Sequence, residues 1–409
     1  MMYWIFFTSI IILNLLIDAI FFYVIKKSSW PSTKSILYNF ILFLSACGYI
    51  LMLYLLLSYW LKFYPYKLLR NHLAFFYLAC QLSKIIFLTA YLVIYISGQI
   101  KKSFYRPPVY NPSRREFISK VSLMAASLPF STLSFSIIKP FSNKIFHEIL
   151  YFDNLPEAFE GFKIIQISDL HLGSFLSQEP ILQLARSMKN LQADIVVFTG
   201  DLVNEIAEEA LDFLPVLKQI TSLPVYAILG NHDYGDYFYG KDDLTGKLHN
   251  MQLMEEIYQT LGWRLLKNEH VLIEKATEKI ALIGVENWGY HARFQKYGDI
   301  EKATNNLDLD KYFTILLTHD PTHFEHVVEK QKLNIPLTLS GHTHGMQMGI
   351  RTKNFRWSPS AGIYKYWGGL YENENAQKIY VNTGYGYIGM PARIGIYPEI
   401  TLIELRKKK

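Results

Sequence analysis

Five short polar clusters in the second half of the chain carry side chains that bind metal ions. They are Asp169-Leu170-His171, Gly200-Asp201-Leu202-Val203-Asn204, Gly230-Asn231-His232-Asp233, the lone His319, and Gly341-His342-Thr343-His344. Imidazole, carboxylate and amide oxygen are all on offer and thiolate is not. That donor mix suits Mn, Fe or Zn in a reactive centre better than a structural zinc knot. Asp-x-His and His-x-His each place two side chains on one side of a strand end, within reach of a single ion. The ligands are too many for one tetrahedral ion, so two ions are the expected count. The neighbouring glycines allow the backbone to turn sharply. One such cluster alone is weak evidence, because a lone His after a strand is more often a surface or hydrogen-bonded residue. Five in this order carry the argument jointly.

The elements that must position these clusters are short apolar runs rich in Ile and Val. Phe162–Ser168, Asp194–Thr199, Pro224–Leu229, Lys279–Val285, Phe313–Thr318 and Leu337–Ser340 each read as a strand ending in Gly, Asp, Asn or His. Helix-like stretches, Glu179–Asn190 and Glu205–Ile220, lie between some of them. Strands alternating with helices predict an α/β layered domain over residues 150–409. Loops at the strand ends are then the natural platform for the polar clusters.

The ordered set Asp-x-His, Gly-Asp-x-x-Asn, Gly-Asn-His-Asp, His and Gly-His-x-His resembles the calcineurin-like metallophosphoesterase superfamily, in its membrane-anchored bacterial branch. The resemblance covers about Phe162 to Leu405. It implies a calcineurin-like β-sandwich flanked by helices, and a hydrolase of phosphate diesters or monoesters. By the same resemblance Asp169, His171 and His344 hold one divalent ion, Asn231, His319 and His342 hold a second, and Asp201 bridges them. His232 is implied as the donor to the leaving oxygen, with the Asn204 side chain accepting its imidazole N–H. Some relatives, the protein phosphatases among them, carry Asp at that position and Arg after it. This chain has Asn204 and Glu205, which speaks against phosphoprotein substrates. A pyrophosphohydrolase of a nucleotide-sugar or lipid precursor, or a membrane sensor without turnover, are the alternatives.

Residues 1–140 have a different texture. Apolar runs at Tyr3–Tyr23, Ile36–Leu61 and Leu73–Ile100 are each long enough to cross a bilayer as a helix, which takes about 20 residues. A fourth run, Val121–Ile138, is shorter. An all-α transmembrane region of three to four helices is therefore expected. Lys101, Lys102, Arg106, Arg114, Arg115 and Lys120 put the loop before the fourth run in the cytoplasm. The catalytic part then lies on the extracytoplasmic side of the cell inner membrane, and a lipid-linked phosphate ester becomes an attractive partner. Ser113 to Lys120 resembles an internal twin-arginine export signal, with an ordinary basic loop before a membrane helix as the alternative. Asp18 and Lys84 fall inside apolar runs. Reaching toward headgroups is the plainer expectation for each, and pairing with one another the alternative.

The net charge of +6 is modest, and its Lys and Arg flank apolar segments rather than forming a stripe among aromatics, so no nucleic-acid surface is expected. The two cysteines, Cys47 and Cys80, both lie in apolar runs, which excludes a disulfide framework and a Cys-based site in the soluble part. His323 and His326 are expected on an exposed helix face. Trp288, Tyr290, His291 and Arg293 read as an ordinary loop or a substrate contact. Trp357, Tyr364, Tyr366 and Trp367 are expected to pack, or to meet a membrane surface or a lipid substrate. Arg393 is a possible phosphate partner.

Overall fold

The computed structural model describes residues 2–27, 42–43, 45–54, 57, 67–104, 142–240, 242–291, 295–352, 355–389 and 391–408. The chain divides into two compact units, Met1–Ile138 and Lys139–Lys409.

In the first unit three helical stretches are described: α1 (Met2–Lys27), α2 (Ser45–Tyr54) and α3 (Lys67–Phe104). Its Phe76–Val93 segment has a mean hydropathy of 1.6 over 18 residues, enough in length and composition to cross a membrane. Polarity is inverted relative to a soluble bundle. Leu13, Leu16, Leu78 and Leu82 face outward, whereas Asp18, Ser45, Gln81 and Lys84 are buried. Such an arrangement suits a lipid surround, where polar groups must find partners inside. Lys84 Nζ lies 2.7 Å from Asp18 Oδ1 and 2.6 Å from Ser45 Oγ. The expectation that each charge reaches toward headgroups is thus overturned, because the two meet within the bundle. Both cysteines are free, Cys47 exposed and Cys80 half-buried. The fourth apolar run, the twin-arginine-like segment and much of the second run lie outside the described residues.

In the second unit the strands are β1 (Lys144–Phe152), β2 (Lys163–Ile167), β3 (Ile195–Phe198), β4 (Val225–Ala227), β5 (Arg264–Leu265), β6 (Glu269–Lys275), β7 (Glu278–Gly284), β8 (Phe313–Leu317), β9 (Leu337–Ser340), β10 (Ile350–Arg351), β11 (Arg356–Trp357), β12 (Gly369–Glu372), β13 (Lys378–Val381) and β14 (Glu399–Lys407). Among the described residues they form one sheet in the order β1-β14-β2-β3-β4-β5, a second in the order β12-β13-β9-β8-β7-β6, and the small β10-β11 pair. β2, β3 and β4 run parallel, as do β7, β8, β9 and β13.

Both faces of these central strands are covered, which is why their sequences are nearly continuous apolar runs. Ile164, Val197, Leu282, Ile315 and Leu339 share one apolar cluster drawn from both sheets. Their neighbours Ile165, Val196 and Phe198 turn the other way, against α4 (Glu179–Lys189) and α5 (Leu244–Leu261). On the second sheet Ile283, Leu316 and Val381 pack instead with Phe324 and Val328. The predicted helix Glu205–Ile220 does not form as one element. It breaks into 3-10 turns at Ala207–Phe213 and a single α turn at Leu214–Leu217. Pro215 has no N–H to bond the preceding turn, so a continuous helix cannot pass through it.

Candidate metal centre

Each polar cluster lies just past a strand: after β2, β3, β4, β8 and β9 in turn. The loops are stitched together directly. Asp169 N donates to the Gly200 carbonyl at 2.9 Å, Gly341 N to the His319 carbonyl at 2.9 Å, and His342 N to the Asp169 carboxylate at 3.1 Å. Gln166 Nε2 donates to the Ser340 carbonyl at 2.8 Å and so links the two sheets beneath the site. A Cβ at Gly230 would stand 2.2 Å from Asp201 Oδ1, and one at Gly341 2.1 Å from Ser168 Oγ. These two glycines therefore serve close approach. The sharp turns come from elsewhere: Asp169, His171, Asp201, His342 and His344 all have left-handed φ between 46° and 75°. Five of the seven expected ligands bend the backbone themselves.

Two groups result, each with ligand atoms within 4.8 Å of one another: Asp169, His171 and His344, and Asp201, His319 and His342. In the first, His171 Nε2 lies 2.9 Å from His344 Nε2, which is itself 3.3 Å from Asp169 Oδ1. In the second, His319 Nε2 is 3.1 Å from Asp201 Oδ2 and 3.2 Å from His342 Nδ1. Asp201 Oδ2 is also 3.5 Å from His171 Nε2, so this one oxygen stands between the groups. Its other oxygen is occupied, accepting the backbone N–H of His232 at 2.8 Å.

The rear nitrogens are held by backbone carbonyls, Val203 for His171 Nδ1 at 3.2 Å and Thr199 for His319 Nδ1 at 2.7 Å. That orients each ring so that its Nε2 points at the other ligand-type groups. Asn231 is buried and lines the same cavity as Asp201, His342 and His344, its Nδ2 donating to Tyr237 OH at 2.8 Å. Its buried Oδ1 has no hydrogen-bond partner among the described residues. An orphaned amide oxygen beside paired imidazoles and carboxylates is the donor set a divalent cation takes.

The electrostatics point the same way. Burial works against a charged imidazole at His319, yet the Asp201 carboxylate overcomes it and lifts the group to about 10. Burial also opposes ionisation of Asp169 and Asp201, but the facing histidines hold both carboxyls below their usual range. Burial lowers His171, and it holds His342 down to about 4. The two buried carboxylates thus favour positive charge in this pocket, and His319 is the imidazole they raise.

His232 lies against this centre, its ring 4.3 Å from and stacked on Tyr237. Its Nδ1 donates to Asn204 at 2.6 Å, but the acceptor is the backbone carbonyl. The Asn204 side chain turns away and donates to Ser174 Oγ at 2.7 Å. The expected side-chain acceptor is thereby replaced, because the loop already presents a carbonyl at the right place. Burial lowers the His232 pKa, opposed by Asp201 and by that carbonyl.

Other residues support the site through contacts that the sequence does not show. Asp233 accepts backbone N–H groups from Gly230, Asp201, Leu202 and Val203, clamping two ligand loops. Tyr364 OH lies 3.0 Å from His342 Nε2. Arg393 donates to the carbonyls of Gly386 and Thr383 and faces His344 Nδ1 at 3.0 Å. His323 is buried against Trp288 rather than exposed, and His326 stacks on Tyr290. Tyr364, Tyr366 and Trp367 pack inside while Trp357 faces out. Arg293 lies outside the described residues.

Residues 162–346 match the family model of the calcineurin-like phosphoesterase, and residues 2–140 match that of a probable calcineurin-like phosphoesterase transmembrane domain. Similar curated proteins include a transmembrane protein with metallophosphoesterase domain from Danio rerio, 30% identical over 264 residues, covering 62% of this chain and 55% of that protein. An uncharacterized metallophosphoesterase of Helicobacter pylori is 31% identical over 267 residues, covering 65% and 64%. One of Bacillus subtilis is 27% identical over 256 residues, covering 62% and 82%. The chain thus spans less than two thirds of the length of the first two of these relatives. Residues 162–346 thus form a calcineurin-like phosphoesterase domain, joined in one chain to a region that matches the transmembrane domain of such proteins.

Proposed function

We propose that this chain is a membrane-bound hydrolase of phosphate diesters or monoesters that works with two divalent ions. The observation that carries the reading is Asp201 Oδ2, placed between two imidazole–carboxylate groups at 3.1 and 3.5 Å. Asp169, His171 and His344 would hold one ion, Asn231, His319 and His342 the other, with Asp201 shared. Bound there, the pair supplies an activated water and neutralises charge on the phosphoryl oxygens.

The remaining chemistry falls to the chain. His232 has its Nδ1–H committed to the Asn204 carbonyl, so the proton passed to the leaving oxygen must be carried on Nε2. Water adds to phosphorus, the ester P–O bond breaks, and the alcohol leaves with that proton. No serine or cysteine nucleophile is required. The layered β-sandwich and a multi-pass region of three to four helices belong to the same reading, supported by the apolar cluster common to both sheets and by the inverted polarity of the helical unit. The basic loop before residue 121 supports an extracytoplasmic catalytic side of the inner membrane.

The test is hydrolysis of an aryl phosphodiester by the full chain in nanodiscs with Mn²⁺. We expect turnover that Asp201→Asn abolishes. Absence of turnover with Mn, Fe or Zn would favour a sensor that has kept the fold without the reaction.

A further inference from the structure

The cavity in front of the proposed centre has two unlike walls. It holds about 560 Å³, within the range of small-molecule sites. One wall carries Asp201, Asn231, His232, His342 and His344. The other is made by Met346, Met348, Pro359, Ile363 and Ile388, and no Lys or Arg lines the cavity among the described residues. Met346 is 40% exposed and Ile363 47%, a high share for large apolar side chains.

The apolar wall is built, not incidental. Met346 and Gln347 follow Gly345 in three successive left-handed residues, with φ of 54°, 47° and 57°. For Met this backbone is strained, and such strain persists only where the surroundings enforce it. They do so here through the residue between the methionines. Buried Gln347 accepts Ile388 N at 2.6 Å and donates to the Ala392 carbonyl at 3.2 Å, while Ser358 Oγ binds the Gly345 carbonyl at 2.6 Å. Gln347 is thus pinned in place, and it lines the cavity between Met346 and Met348. A nucleotide or polyphosphate would bring several further charges to a wall with no Lys or Arg among the described residues to meet them. An apolar substituent fits it.

We propose that this wall is a subsite for the hydrocarbon part of an amphiphilic phosphate ester, an alkyl or acyl chain attached to the phosphate that the centre holds. The inference rests on the phosphoesterase reading above and narrows its substrate class.

The test uses alkyl p-nitrophenyl phosphodiesters, from methyl to butyl, with the full chain in nanodiscs and Mn²⁺. Nitrophenolate leaves in every case, so the alkyl group reports binding alone. In the wild type, kcat/KM is expected to rise about twofold per methylene, less than full burial would give, and so roughly tenfold from methyl to butyl. Met346→Gln and Ile363→Gln should flatten that series. The butyl-to-methyl ratio within each protein cancels any loss of folded enzyme. A ratio equally steep in all three proteins means partition into the bilayer and overturns the subsite. A flat series with sound turnover overturns it too, while leaving the phosphoesterase reading intact. No hydrolysis of any ester with Mn, Fe or Zn removes the reading on which the proposal rests.

Discussion

Asp201→Asn has a consequence that can be worked out without any metal present. In the wild-type chain Asp201 lifts His319 from an ordinary 6.5 to about 10 against the cost of burial. At about 1.36 kcal/mol per pH unit, that span is worth roughly 5 kcal/mol of folded-state preference for the protonated imidazole. A group raised in this way contributes its stability fully below pH 6.5, and loses it as pH climbs through 10. Asp201 itself titrates below the usual carboxylate range, so it adds no slope in that window. The metal-free full chain should therefore lose stability between pH 6.5 and 10, and Asp201→Asn should not. Unfolding midpoints measured with EDTA at pH 6.5, 8 and 9.5 would show the gap between the two proteins narrowing by several kcal/mol. On the two-ion reading proposed above, the same proton must leave before His319 can ligate, so apparent affinity for that ion should rise about tenfold per pH unit over this range. A stability gap that is constant with pH would refute the account of His319 as the cation standing in for metal.

Three further predictions test other parts of the molecule. Asn204→Ala keeps the carbonyl that holds His232, so kcat should fall less than about threefold, whereas His232→Ala should cost about 10²-fold or more on an alkyl ester; equal losses would return the orienting role to the Asn204 side chain. Burial holds His323 down to about 4, a depression worth roughly 3 kcal/mol, present above pH 6.5 and lost as pH falls through 4. His323→Phe should remove that share of acid lability from the metal-free chain, seen as a flatter fall of the unfolding midpoint between pH 6.5 and 4. In the membrane unit, Lys84→Met strands the Asp18 carboxylate among apolar groups and should cost about 3–5 kcal/mol, with Asp18→Asn added on top restoring much of it. Thermal midpoints in nanodiscs measure both, and a double variant no better than the single one would contradict the pairing.

The central strands were readable because burial on both faces writes them as unbroken Ile and Val runs. The six runs read from Phe162 to Ser340 coincide with β2, β3, β4, β7, β8 and β9. β1 escaped notice for the opposite reason. It is an edge strand with Lys144, Ile145, Tyr151 and other residues exposed, and it is specified by its parallel partner β14, more than 240 positions away. Nothing local marks such a pairing. The candidate ligand types were legible because few side chains bind metal. What holds them was not, since the Val203, Thr199 and Asn204 carbonyls belong to every residue alike and carry no sequence signal. Asp18 and Lys84 show the same limit in the helical unit, where the ion pair depends on the rotation of α1 against α3.

The spacing of the ligands also has a different cause from the one their sequence implies. In an extended strand, residues two apart point the same way, and that alone would bring Asp169 toward His171 and His342 toward His344. Yet all four lie past their strands in left-handed backbone, where the alternation no longer applies. Asp and His tolerate that region better than most side chains, at roughly 1 kcal/mol or more apiece, so the ligands double as the turn residues. Gly200 still turns the backbone before Asp201, at φ 91°, while Gly230 and Gly341 serve close approach to Asp201 and Ser168. A short motif then needs no long loop to bring two groups of ligands onto one carboxylate oxygen. The strain is carried by parallel strands buried on both faces, the part of the unit best able to hold it.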